Sequence, residues 1–172
     1  MAGPGPAKLY FGVSRLRRAS LARWLAAGLL ALASSAGVYL SAQEERQASI
    51  ARIKTDYQAL IQPIFQAKCF DCHSDRTHYP FYYRLPGAKQ IIDKDIRQAR
   101  KHLDMSQGFP FKNQIEPEKD LDVIHDVVSD DDMPPLLYRL AHWSSGLRES
   151  EKMAILRWAE LGKNSLSKAT HH

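Results

Sequence analysis

The chain has 172 residues, 44% hydrophobic and 25% charged, which argues against a disordered or fibrous chain and leaves room for one modest domain plus an appendage. Its net charge of +5 does not imply nucleic-acid binding, because Lys8, Arg15, Arg17, Arg18 and Arg23 all precede the first acid, Glu44, and the other 19 basic residues balance 19 acidic ones. Two cysteines three positions apart exclude the multi-disulfide framework that staples many small exported domains.

Residues 1–23 form a basic segment, and Trp24 to Ala42 run without a charge through Ala, Leu, Gly and Val. A helix of that length would extend about 28 Å, close to the hydrocarbon thickness of a bilayer. Arginines before the run and Glu44-Glu45 after it predict a cytoplasmic start and an exported remainder. The sequence therefore predicts a single-pass transmembrane anchor over 24–42, with the following domain facing the periplasm. The alternative is a signal peptide cleaved after Ala36 or Ala42, leaving a soluble periplasmic protein.

Residues 44–62 place Ile50, Ile53, Tyr57 and Leu60 or Ile61 at helical intervals and read as an amphipathic helical spacer. Pro63 predicts a break near Gln62 and a short helix to about Lys68, opening a domain that extends over 63–162. Residues 74–87 are rich in aromatics and bracketed by Pro80 and Pro86, the pattern of an irregular loop that covers apolar surface. Helices are expected over 88–103, with Ile92, Ile96, Ala99 and Leu103 on one face, over 118–128, and over 148–161. Residues 163–172 read as a flexible tail. No stretch alternates as a strand does, so the predicted class is all-α.

The chemistry lies in Cys69-Phe70-Asp71-Cys72-His73. C-x-x-C-H is the spacing at which two thiols add to the vinyl groups of one haem while the adjacent imidazole reaches the iron. A redox dithiol or a zinc site is the competing reading, but no second pair of zinc ligands stands at suitable spacing. The reading requires one covalently bound haem c, with Cys69, Cys72 and His73 as its residues. Met133, stiffened by Pro134 and Pro135, is the expected second iron ligand, its thioether favouring ferrous iron. Core filling is the ordinary alternative for Met133. His102, His125, His142, Met105 and His78 are its rivals as ligands.

These parts resemble a class I c-type cytochrome and, more narrowly, the small bacterial haem-binding domain family that opens on C-x-D-C-H-S. The stretches that carry the resemblance are CFDCHS (69–74), YPFYYRLP (79–86), DIRQARKHLDMS (95–106), MPPLLYRLAH (133–142) and EKMAILRWAE (151–160). The resemblance implies a small cytochrome c-like helical domain around the haem, with His73 and Met133 as axial ligands. Two departures stand out: Phe81 occupies a position where the family has tryptophan, and Arg148 follows Leu147 where a serine cap is common, so that Ser145 or Ser150 is left to cap the last helix.

A six-coordinate haem exchanges electrons without bond chemistry, so the expected function is a membrane-tethered electron carrier and not an enzyme. Asp130, Asp131 and Asp132 either steer a basic redox partner or are simply a solvated loop. The alternatives are a haem sensor or peroxidase-like protein, with an open iron site near His102 or Arg84, and an accessory subunit of a membrane redox complex. Expected partners are redox proteins at the membrane and the bilayer itself, with no nucleic acid.

Overall fold

The protein is described by a computed structural model covering residues 13–112, 116–142 and 144–170, with backbone alone for 13–23, 25–26, 29–36, 136–137, 141 and 170. Among the described residues every regular element is helical. The chain divides into residues 1–43 and a compact unit over 44–172. Helix α1 (Val13–Asp56) supplies the described part of the first unit. There Trp24, Val38, Tyr39 and Leu40 are exposed. Among the described residues no helix is long and apolar enough to cross a membrane. More than half of the side chains in the expected span 24–42 lie outside the described set.

In the second unit the end of α1 passes into a π-helical turn, Tyr57–Ile61, before α2 (Gln62–Lys68). Pro63 sits in the first turn of α2, where its missing N–H costs no hydrogen bond; instead of the expected break the chain stays helical there, widening into the π turn just before the proline. The segment 44–62 differs from its expected role as a spacer. Ser49 is buried, and Ile53, Tyr57 and Ile61 are buried in the same core as the later helices. Its apolar stripe has partners within the domain, as an amphipathic face requires.

Helix α3 (Phe70–His73) is a single turn, followed by a 3₁₀ turn (Phe81–Arg84), α4 (Ala88–His102), α5 (Pro117–Ser129), α6 (Leu136–Ala141) and α7 (Glu149–Thr170). Helices α5 and α7 pack against each other and against the end of α1, burying Leu121, Ile124, Ile155 and Ala159. Gly162 makes this approach possible, since a Cβ there would stand 2.8 Å from Leu121 Cδ1 and 3.5 Å from Ile53 Cγ2. Tyr57, Phe65, Phe109, Phe111 and Trp158 form an aromatic cluster, largely edge-to-face, with centroids such as Phe109–Trp158 5.5 Å apart. Each such pair adds about 0.5–1.5 kcal/mol beyond area burial. The indole N–H of Trp158 donates to the Ile53 carbonyl at 3.2 Å, just before the π turn.

The last helix departs from expectation at both ends. Neither Ser145 nor Ser150 caps it. The Glu151 carboxylate accepts the Arg148 backbone N–H at 2.8 Å and pairs with the Arg148 guanidinium at 2.7 Å, half of a capping box built without a serine. At the other end the helix runs to Thr170, with Leu166 and Ala169 buried, so residues 163–170 are packed helix and not a flexible tail.

Candidate functional site

Cys69 caps α3, and its carbonyl accepts the N–H groups of Cys72 at 3.1 Å and His73 at 3.0 Å. That single turn puts both cysteines and the histidine on one coil of chain. Phe70 points into the core and Cys69 packs against it. The turn is locked from outside. Ser74, wholly buried, donates its hydroxyl to the Phe70 carbonyl at 2.8 Å and accepts the Arg76 N–H at 3.0 Å. Asp71 Oδ1 accepts both the backbone N–H (3.0 Å) and the ring Nδ1 (3.1 Å) of His78, and Asp71 O accepts the Thr77 hydroxyl at 2.8 Å. Asp71 and Ser74 therefore shape the turn, roles the sequence left unassigned although both stand inside the quoted CFDCHS stretch.

The His73 ring is oriented by a 2.9 Å contact from Nδ1 to the Leu103 carbonyl. A carbonyl only accepts, so Nδ1 carries the proton and Nε2 keeps its lone pair. Burial lowers the imidazole pKa, partly offset by that same hydrogen bond, which favours the neutral ring a metal would need. Met105 N–H donates to the His73 carbonyl at 2.7 Å, closing the strap from α4 back onto the turn.

Both thiols are free. Cys69 retains some exposed surface, but its sulfur lies deep enough that burial, with Cys72 next to it, pushes its pKa up to about 12. Burial also raises Cys72, helped by Asp71 and Asp95. Reactive redox cysteines have lowered pKa values, so the pair does not have the electrostatics of a catalytic dithiol. Among the described residues no group of three or more His, Cys, Asp or Glu side chains is placed to hold a metal ion.

Cys72 opens onto a cleft of about 240 Å³, walled by Ile92 and Ile96 of α4, Pro80 and Tyr82 of the aromatic loop, and Tyr138 and His142 from α6 and its end. Helix α4 has a clear apolar face yet not one buried residue. The loop over 79–85 is likewise open, with Phe81 92% exposed and Tyr79 and Leu85 more than half exposed. An apolar helix face and an aromatic loop bordering one cleft lack the partner that would bury them. The thiol-bearing turn meets this cleft through Cys72.

The expected site residues do not all converge. Cys69, Cys72 and His73 share the turn, and Cys72 alone of the four lines the cleft. Met133 follows α5, its N–H directed to the Val127 carbonyl at 3.3 Å and its side chain about a third exposed, outside the cleft walls. Of the rival ligands, His142 lies in the cleft wall, stacked on Tyr138 with centroids 4.3 Å apart and with Nε2 3.1 Å from the Tyr82 hydroxyl. Met105 is buried in the core, and His125 lies 3.3 Å from Asp126. Within the acidic run, Asp131 is spent on an ion pair with Lys152 at 2.8 Å, which lowers its pKa.

A family model described as a haem-binding domain matches residues 32–161, three quarters of the chain. The chain belongs to this haem-binding family. The match begins upstream of residue 44, in agreement with the packing of 44–62 into the haem-binding domain. A stretch of 92 residues is also 33% identical to the cytochrome c peroxidase Ccp of Escherichia coli (strain K12), covering 52% of this chain and 20% of that protein. The chain thus spans about one fifth of the length of that relative. No solved structure matches.

Proposed function

We propose that this haem-binding domain is a monohaem c-type cytochrome that passes single electrons between protein partners. The observation that carries the reading is the 69–73 turn, which holds two protonated thiols and an imidazole oriented by Leu103 on one coil of chain and meets a largely apolar cleft through Cys72. The haem supplies a reversible one-electron iron couple when bound. The chain's residues do the rest. Cys69 and Cys72 form thioethers that fix the group's position. His73 offers Nε2, its ring held in one tautomer by Leu103. Ile92, Ile96, Pro80 and Tyr82 keep water from the apolar face.

Met133 is the second axial ligand in this reading, supplied by the loop that leads into α6. A second candidate follows from the cleft lining, which contains His142 and His78 but not Met133; His78 is engaged by Asp71, which leaves His142. Spectra of the oxidised protein test both. The Met133 reading expects a sulfur-to-iron charge-transfer band that vanishes in Met133→Ala and survives in His142→Ala. A spectrum changed only by His142→Ala transfers the role to His142. High-spin iron in the unaltered protein, with peroxide turnover, favours the enzymatic reading that the relative's name raises.

The same reading assigns the protein to the periplasmic side of the inner membrane, with the N-terminal helix as tether or export signal. Its support is the uncharged run 24–42 behind the basic segment and the exposed Trp24, Val38, Tyr39 and Leu40. Replacing residues 1–42 by a cleavable export signal should release a coloured soluble domain; pigment still sedimenting with membranes would remove the tether from the account.

A further inference from the structure

A second cavity, of about 230 Å³, lies in the same unit and is lined by neither cysteine nor His73. Its polar walls come from Lys54 and Gln58 at the end of α1 and in the π turn, Gln62 opening α2, Arg76 after the haem-motif turn, and Gln107 in the turn after α4. No carboxylate residue lines it. Lys54, Gln58, Gln62 and Gln107 make no side-chain hydrogen bond to another described residue, and Arg76 has only Asp75, 4.0 Å away and itself well exposed. Tyr57 forms part of the wall, is 1% exposed, and has a hydroxyl with no partner. A buried hydroxyl without a partner costs about 1–3 kcal/mol unless something supplies the missing bond.

Two cations and three amides without side-chain partners line one cavity that no carboxylate enters, so its net charge is positive and its N–H donors are available. Its volume is close to that of the cleft beside Cys72, so the polar character of its walls, not its size, points to the occupant. We propose that this cavity binds a small oxyanion, a free carboxylate or phosphate, seated between Lys54 and Arg76 with the glutamine amides donating to its oxygens. The site is independent of the haem cleft, and its occupant adds charge-assisted hydrogen bonds between the π turn, α2 and the chain after the haem motif.

The test is calorimetric titration of the purified full chain with succinate and, separately, inorganic phosphate at low ionic strength. The proposal expects saturable binding of at least one of them at one per chain, weakening as salt rises. Lys54→Gln with Arg76→Gln, both at exposed positions, should weaken it at least about tenfold, and Gln107→Ala by less. Helical circular dichroism confirms that each variant is folded. No saturable heat with either anion, or binding unaltered in the double variant, overturns the site. The amount of bound haem, read on the same samples, reports separately on the cytochrome assignment.

Discussion

The two sides of the domain are built differently. Where α1, α5 and α7 meet, Ile61, Leu121, Ile155, Ala159 and Leu166 are all but sealed from solvent, and an aromatic cluster fills the space between them. On the other side, the 3₁₀ turn and α4 bury nothing, while Phe81, Leu85 and Ile91 stand open. The first side is a core complete in protein atoms. The second has an apolar helix face and an aromatic loop at the surface, the kind of surface that a prosthetic group can cover.

This contrast can be broken most severely in the closed core. Leu121→Ala should cost about 2–5 kcal/mol in chemical denaturation, with or without haem, because the site is too tightly held to collapse around the lost atoms. Ile96→Ala, in the cleft wall, should cost under about 1 kcal/mol in the bare chain and show its effect on haem retention. Equal costs at the two positions in the bare chain would erase the distinction.

The second effect depends on pH. Asp120 is 1% exposed, and burial, only partly offset by the nearby Phe111 backbone, raises its pKa to about 7. The folded state therefore holds a proton that the unfolded chain releases near its ordinary 3.8. Its stabilising share is complete below about pH 4, falls as pH rises through 7, and levels off above, a total of up to about 4 kcal/mol. Denaturation midpoints from pH 4 to 8 should show that slope, and Asp120→Asn should flatten it.

A smaller loss, about 1–3 kcal/mol, is expected for Gly162→Ala, whose added methyl meets Leu121 and Ile53 inside the sealed side. Smallest is Arg46→Ala. Arg46 pairs through both guanidinium nitrogens with Glu118, joining the end of α1 to α5, and both partners keep about a quarter of their side-chain surface exposed. Its removal should cost about 1 kcal/mol, and less in high salt.

The same division explains what the sequence could disclose. Helices α4 and α5 were legible because Ile92 and Ile96, and Leu121 and Ile124, recur at helical spacing; for α7 the spacing of Met153, Leu156 and Ala159 indicated a helix but only part of its face, since Met153 is exposed and Ile155 is buried. The irregularity before Pro63, a π turn and not the expected break, followed from its missing N–H. The C-x-x-C-H turn was legible because its pattern is local, five residues in one turn. Contacts made across the fold were not. Nothing in 44–62 alone tells whether its apolar face meets Trp158 or solvent, and the extension of α7 through Leu166 depends on a distant partner. The cap of α7 was missed because a carboxylate reaching back from Glu151 replaces the expected hydroxyl. The cleft wall formed by Tyr82, Tyr138 and His142 joins residues some sixty positions apart, and only the structure brings them together.

The central claim is that the open side is closed by a haem joined to Cys69 and Cys72. Intact-mass spectrometry of the purified chain after extraction with acidified acetone tests it directly. The account predicts a polypeptide heavier by one haem and still coloured, and a bare, colourless chain for the Cys69→Ala, Cys72→Ala double variant. A colourless chain of bare mass from the unaltered protein, with all pigment in the acetone, would contradict it.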